Sequence, residues 1–362
     1  MTSAPTSDDG RLLAVFPFYS DNEWHELVYF GVRRRGHRVL GVGPFFSVDE
    51  LKDQLGGRLP HTLHLGWSTP VTQVVPDVVT AMQRVLAFIE AVRHLQASGV
   101  RIVWTVHNVV SHESPHVTPE LTFHRLLAEI ADAVHVMNPM TINIVAPLYG
   151  LRPETVVQIP HPSYEVEPGH VHRRTSGPTR LLIFGEIRPY KGVFEFAELV
   201  DRARRAGIEV TLDVVGRVGG ALSDDTVRQH LAQYEGVRFE PGYVDSSRVP
   251  HVFARADALV LPYRGGLNSG VALLAGSYGL PVLIGASLRD TWPLERSWQI
   301  PLWDVGVDGD GDGACDLSLL GKAVDLVDRQ AERLRSAALA TAHERTPERL
   351  SARYVELFLP RH

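Results

Sequence analysis

The chain is predicted to be an α/β protein built from two Rossmann-like, doubly wound parallel-sheet domains. Three observations carry this. Short apolar runs alternate with longer helical patterns along the whole sequence, as they do in successive βαβ units. The 362 residues suffice for two domains, each burying its own core. Midway, the segment from Pro162 to Thr179, PSYEVEPGHVHRRTSGPT, is rich in proline, glycine and charge and interrupts both patterns.

In the first half, strands are predicted at Leu12 to Phe16, Arg38 to Val42, Arg101 to Val106, Ala133 to Val136 and Val156 to Ile159. Helical patterns lie between them, near Trp24 to Arg35, Val75 to Ala97, Leu121 to Ile130 and Thr141 to Tyr149. Strands recur at Leu181 to Phe184, Val210 to Val215, Val237 to Phe239, Ala258 to Leu261 and Val282 to Ile284. The boundaries that follow are 1–163 for the first domain, 164–179 for a linker, 180–345 for the second domain and 346–362 for a terminal amphipathic helix. In such sheets ligands bind at the carboxyl ends of the strands, so the loops leaving them are where function is sought.

Composition narrows the classes. Hydrophobic residues at 44% and charged residues at 22% describe a globular chain. A net charge of -6 disfavours nucleic acid as the partner. One cysteine, Cys315, leaves neither an internal disulfide framework nor a thiolate zinc cluster. The N-terminus MTSAPTSDDG lacks an apolar leader core, and no stretch reaches the length of a membrane span, so the expected location is cytoplasmic, or peripheral at the inner face of the cell membrane. The run Arg33-Arg34-Arg35 with His37 and Arg38 reads first as the cationic end of a helix, and otherwise as a patch for a membrane surface or an acceptor phosphate.

Two turns stand out chemically. RLLIFGEIRPYKG, Arg180 to Gly192, is a strand running into Gly185, then Arg188 and Lys191 at the mouth of a helix. Free backbone N–H groups and the positive end of the helix dipole, joined by two cations, make a receptor for phosphate charge. Eighty residues later, PYRGGLNSGVALLAGSYGLPVL opens a second helix near Asn268, Ser269 and Gly270. Gly216 and Tyr243 end further strands, where a nucleotide and its base rest in this architecture. In the first half, His107 and Asn108 end a buried strand, and FYSDNE places Asp21 and Glu23 after the first strand. Asp21 or Asn22 equally suits a helix N-cap.

Three patterns read as decoys. His112-Glu113-Ser114-Pro115-His116 matches a zinc-protease motif, but Pro115 breaks the helical turn that the motif needs. Asp308, Asp310 and Asp312 imitate a calcium loop whose twelfth position is Leu319. Gly41-Val42-Gly43 lacks the third glycine of a dinucleotide fingerprint, with Phe46 in its place.

The order and spacing of the two phosphate-type turns resemble the donor half of GT-B glycosyltransferases, above all family four, whose bacterial members include polysaccharide-type hexosyltransferases. Lys191-Gly192 and Gly279-Leu280-Pro281-Val282 carry the resemblance, and His161 in IPHPSY resembles the family's I-P-H-G turn. The sequence departs from the pattern where Glu186 stands for the arginine after the turn glycine, and where Gly266 and Leu274 stand for the two glutamates of an E-x7-E element. The resemblance implies two domains facing a cleft, the first for the acceptor and the second for a nucleotide sugar, with the last helix crossing back to the first. It implies a metal-independent hexosyltransferase with no cofactor beyond its nucleoside diphosphate sugar donor, acting on a lipid-linked or saccharide hydroxyl. Arg188 and Lys191 take the departing diphosphate, Asn268 and Ser269 replace the absent glutamates, and His107 lies near the donor sugar. Asp21, Glu23 and Glu113 are candidate bases for an inverting course, whereas a retaining course draws on polar groups around the reacting carbon. A non-catalytic GT-B partner of an active transferase and a sugar-nucleotide epimerase are the competing readings.

Overall fold

The computed structural model describes residues 10–111, 113–166, 177–303 and 316–360. The chain divides into two compact units, one running to Pro162 and resuming at Pro347, the other spanning Ser163–Thr346.

The first unit alternates β1 (Leu12–Phe16), α1 (Glu23–Arg34), β2 (Arg38–Gly41), α2 (Val48–Gln54), β3 (Thr62–Leu65), α3 (Thr69–Thr72), α4 (Val78–Ala97), β4 (Arg101–Thr105), α5 (Val117–Ile130), β5 (Ala133–Val136), α6 (Pro139–Tyr149) and β6 (Val156–Gln158). Its six strands are all parallel, in the order β2-β1-β3-β4-β5-β6. Strand β1, LLAVF, is buried along its whole length, as a strand covered on both faces must be. Helix starts are set by side chains that satisfy the first free N–H groups: Asn22 for α1, Ser47 for α2, Asp77 for α4 and Asn138 for α6.

The second unit contains β7 (Thr179–Phe184), α7 (Val193–Arg205), β8 (Val210–Gly216), α8 (Asp224–Leu231), β9 (Val237–Pro241), α9 (Val249–Phe253), β10 (Ala258–Leu261), α10 (Gly270–Ser277), β11 (Val282–Ile284), β12 (Gln299–Pro301), α11 (Leu317–Arg329) and α12 (Ala331–Glu344). Its parallel sheet runs β12-β11-β10-β7-β8-β9. Apolar side chains of α7, α8 and α11, with Leu334 of α12, form the core on one face, and those of α9 and α10, with Ala338 of α12, on the other. The last helix, α13 (Pro347–Phe358), packs on α1 of the first unit. Gly31 lets it approach, since a Cβ there would stand 2.6 Å from that of Ser351. The phenol of Tyr354 donates to the Pro160 carbonyl at 3.0 Å, and Thr62 to that of Phe358 at 2.6 Å. Among the described residues no helix is long and apolar enough to cross a membrane.

Strands β3 and β12 are additions to the sequence reading. The sequence TLHL hides β3 because His64 interrupts its apolar run, and only tertiary partners make that histidine acceptable inside a sheet. Those partners form a chain with a fixed direction. The Ile159 carbonyl can only accept, so His135 Nε2 donates to it at 2.9 Å. With the ring neutral, Thr105 then donates to His135 Nδ1 at 3.0 Å and accepts from His64 Nε2 at 2.7 Å. Tyr29 completes the chain by donating to His64 Nδ1.

Burial pushes His135 from 6.5 down to about 4 and holds His64 well below 6.5. His124, buried on α5 with Glu120 nearby partly opposing the shift, is also lowered to about 4. Unfolding returns these rings to ordinary values, so the unfolded chain binds more protons between those limits. Their stabilisation is therefore full above pH 6.5 and is lost as the pH falls toward 4. The expected loss is about 1 kcal/mol per pH unit for each such histidine in that window. Melting temperatures measured from pH 7 to pH 4.5 should fall steeply, and a flat profile would contradict the neutral buried chain.

Candidate functional site

In the second unit the strand order reverses between β7 and β10. At such a reversal the helices leave on opposite faces of the sheet and open a crevice at the carboxyl ends of the two strands. The loops that leave β7 and β10 are the two turns singled out in the sequence. A Cβ at Gly185 would lie 3.8 Å from the Val271 side chain and 3.9 Å from Lys191 Nζ, so the first turn, the lysine and the start of α10 converge. Gly216 belongs to the same edge: its φ is +149°, and a Cβ there would stand 1.9 Å from the Gly185 carbonyl oxygen. The Gly242 N–H in turn donates to the Gly216 carbonyl at 3.2 Å, linking the ends of β8 and β9. Tyr243 follows, 71% exposed and available to stack.

Lys191 differs from the exposed helix-mouth residue that its sequence suggests. It ends a short 3₁₀ turn, Pro189–Lys191, and is 8% exposed. Its Nζ lies 5.3 Å from the centroid of the Tyr263 ring, and Tyr263 comes from the loop after β10. Burial lowers the lysine pKa, while Tyr190 and Glu186 partly restore it. Among the described residues it makes no salt bridge, and Glu186, whose charge acts on it, is paired instead with Arg188 and Arg217. Tyr263 is pushed up to about 12 by burial, against the opposing effect of a hydrogen bond with the Ser269 side chain.

Ser269 is the N-cap of α10 in extended conformation, its side chain making no capping bond, and Asn268 and Gly270 beside it are half-buried. The helix thus presents unshared N–H groups where Lys191 presents its ammonium. Glu186, which stands where the resemblance implies arginine, is gripped by Arg188 at 3.2 Å and Arg217 at 3.4 Å. Arg217 follows Gly216 at the end of β8, and its pairing with Glu186 is not legible in the sequence. Its link to Glu186 depends on the bridge that sets Ile187 beside Val218, a contact between separate strand ends.

In the first unit, Asn22 is the residue that caps α1, its Oδ1 accepting from the Trp24 N–H at 3.1 Å, and Asp21 and Glu23 are exposed beside it. Arg33 and Arg34 occupy the last turn of α1, Arg33 paired with Glu26 and Arg34 lying 5.5 Å over the Phe30 ring. His107 stacks on Trp67 with centroids 3.9 Å apart and planes 14° apart, and meets Trp24 edge-on at 4.7 Å. Burial and the neighbouring His135, His161 and His25 hold it neutral, well below the usual histidine range. Its loop is fixed by Glu120, a buried carboxylate that accepts from Ser68 Oγ at 2.6 Å and from the N–H and Oγ of Ser111 at 3.0 and 2.7 Å. Glu120 lies within a helical pattern, and nothing local marks it as the anchor of a loop before it. His161 Nδ1 contacts the Pro162 carbonyl.

Among the described residues no group of three or more histidines and carboxylates is placed to hold a metal ion. His112 and Asp308, Asp310 and Asp312 lie outside the described residues, as does Cys315.

Residues 178–290 match the family model described as "Glycosyl transferases group 1". A 221-residue stretch is 28% identical to a GDP-mannose:glycolipid 4-beta-D-mannosyltransferase of Xanthomonas campestris pv. campestris, and takes in 61% of this chain and 60% of that relative. The match thus spans under two thirds of the relative's length. Among solved structures, HepE of Anabaena in complex with UDP and glucose superposes with a TM-score of 0.63 at 14% identity, over 96% of this chain and 98% of that one. Sucrose-phosphate synthase from Thermosynechococcus elongatus gives 0.68 at 13% identity, over 96% and 98%. A glycosyltransferase from Rickettsia africae gives 0.63 at 10% identity, over 97% and 99%. The chain therefore has the GT-B glycosyltransferase fold, and its second unit resembles the group 1 glycosyl transferases.

Proposed function

We propose that the protein transfers a hexose from a nucleoside diphosphate sugar to a hydroxyl of a lipid-linked or saccharide acceptor, without a metal ion. The observation that carries this reading is the buried Lys191, whose ammonium stands beside Gly185 and the start of α10 at the reversal of the second sheet. When the bond between the anomeric carbon and the diphosphate oxygen breaks, negative charge grows on that oxygen. A fixed cation and helix N–H groups stabilise it with no reorganisation of their own. The similarity to a mannosyltransferase that uses GDP-mannose and glycolipid, and to a structure in complex with UDP and glucose, supports the same class.

Asn268 and Ser269 serve as the sugar and phosphate contacts, and the Gly216 and Tyr243 edge receives the nucleoside. In an inverting course the acceptor proton passes to a carboxylate, for which Asp21 and Glu23 are the exposed candidates of the first unit. For a retaining course the neutral His107 is the polar candidate of the first unit. One observation favours a second reading, a non-catalytic GT-B partner: Glu186 spends part of the positive charge of Arg188 and Arg217 within the protein itself.

The test is product analysis with a panel of UDP- and GDP-hexoses in EDTA, with and without lipid-linked saccharides. The transferase reading expects release of nucleoside diphosphate coupled to glycosylated acceptor. Binding of nucleotide without turnover of any donor would favour the non-catalytic partner. Conversion of the donor sugar in the absence of acceptor would point to an epimerase.

A further inference from the structure

Seven large apolar side chains are exposed among the described residues, and five of them lie on two neighbouring elements of the first unit. Val74 precedes α4, Val78, Val79 and Leu86 are on it, and Val117 opens α5. Their fractional exposures run from 47% at Val117 to 73% at Val74. The two elements are joined where His116 Nε2 donates to the Val75 carbonyl at 3.2 Å. On α4, the helical turn of about 100° per residue places Val78, Met82, Leu86 and Val79 in one stripe, beside the face that Val85, Phe88 and Val92 bury. No charged side chain falls in that stripe between Val78 and Leu86. Asp77, the acid at its end, is occupied as the N-cap, accepting from the Val79 and Thr80 N–H groups at 2.9 Å and from the Thr80 hydroxyl at 2.7 Å.

We propose that this patch docks the protein on a lipid bilayer, its side chains entering the boundary between headgroups and acyl chains. A cluster of apolar side chains on a water-facing helix marks an interaction surface. Its size decides between occupants. A stable contact with another protein, a second copy of this chain included, takes roughly 20–30 residues a side. The patch offers far fewer, whereas a bilayer sets no such minimum and excludes only charge. Its place in the fold fits as well. All strands of the sheet are parallel, so α4 and α5, which follow β3 and β4, start at the carboxyl edge, where His107 and Asn108 also lie. The arginine run that the sequence offers as a membrane patch is at the opposite edge: Arg33 and Arg34 end α1, and Arg38 begins β2. Docking is thus carried by apolar area and not by charge, and salt should not weaken it. That the bilayer presents a lipid-linked acceptor rests on the transferase reading; that the patch binds a bilayer does not.

Co-sedimentation of the whole protein with vesicles of phosphatidylcholine, and of phosphatidylcholine mixed with phosphatidylglycerol, tests this. The expected result is reversible binding to both, kept when NaCl is raised from about 0.1 M to about 1 M. The double variant Val79→Glu, Leu86→Glu should weaken binding roughly ten-fold or more, because two carboxylates then enter the stripe. Arg34→Gln with Arg35→Gln should leave it unchanged. Binding to neither vesicle, binding confined to the anionic vesicles and lost in salt, or binding unchanged in the folded double variant would overturn the proposal. So would a concentration-dependent dimer, seen by light scattering and dissolved by the double variant, since a second copy would then cover the patch. Should the double variant not fold, Val74→Glu, outside the helix, carries the same test with the same outcomes. The melting shift produced by UDP or GDP without vesicles keeps the two readings apart. Vesicle binding in the absence of that shift would sink the transferase reading and leave the docking surface standing.

Discussion

Replacing Lys191 by methionine is expected to lower transfer by on the order of 10²- to 10³-fold while leaving the second unit folded. Methionine is the informative substitution because Lys191 is buried. Alanine would open a cavity beneath the Tyr263 ring and mix a packing defect with the loss of charge. Methionine keeps an unbranched apolar stem and removes only the ammonium. Since that ammonium makes no salt bridge among the described residues, and Glu186 near it is held by Arg188 and Arg217, its loss strands no buried counter-charge, and its desolvation cost disappears as well. The melting temperature should therefore hold or rise while turnover falls. Near-wild-type turnover in the folded variant would show that the lysine is only a packing element.

Gly192→Ala is expected to destabilise the second unit by roughly 2–4 kcal/mol, because backbone strain and a steric clash act together there. Gly192 joins the turn of Lys191 to α7 with a φ of +64°, the left-handed region. A Cβ there would also stand 2.2 Å from the Pro262 carbonyl oxygen, in the loop after β10. The contact is backbone, so no side chain can rotate away. Gly207→Ala is the control. Its φ is +84°, yet nothing lies within 4 Å of its Cβ position, so it should cost only about 1 kcal/mol. Denaturant midpoints of the two variants, compared at equal m, measure the difference. Equal losses would mean that the turns after β7 and β10 are not locked together at Gly192.

The parallel architecture could be read from the sequence because completely buried strands such as LLAVF and ALVL leave an apolar run that needs no partner to be recognised. Strand β3 escaped for the opposite reason. His64 is tolerable there only through Tyr29 on α1 and Thr105 on β4, neither of which is local. The short edge strand β12, Gln-Ile-Pro, carries too little pattern to be seen.

The same division runs through the candidate site. Gly185, Lys191 and the Asn268-Ser269-Gly270 turn were legible because glycine turns and cations at helix starts are local signals. That Lys191 would be covered by Tyr263, that Glu186 would be gripped by Arg217, and that Trp67 would stack on His107 are each set by strand order. Strand order is decided by packing between distant segments, and a single pass along the chain does not contain it.

The central claim is that the crevice between β7 and β10 holds a nucleoside diphosphate with the cation of Lys191 in place of a metal. Calorimetric titration of the protein with UDP and with GDP in EDTA tests it most directly. The account predicts saturable binding of at least one of them without divalent ion, weakened in Lys191→Met and accompanied by a melting shift worth ~2.7 kcal/mol at a hundred times the dissociation constant. Binding that appears only when Mg²⁺ or Mn²⁺ is added, or that is unchanged in Lys191→Met, would contradict it.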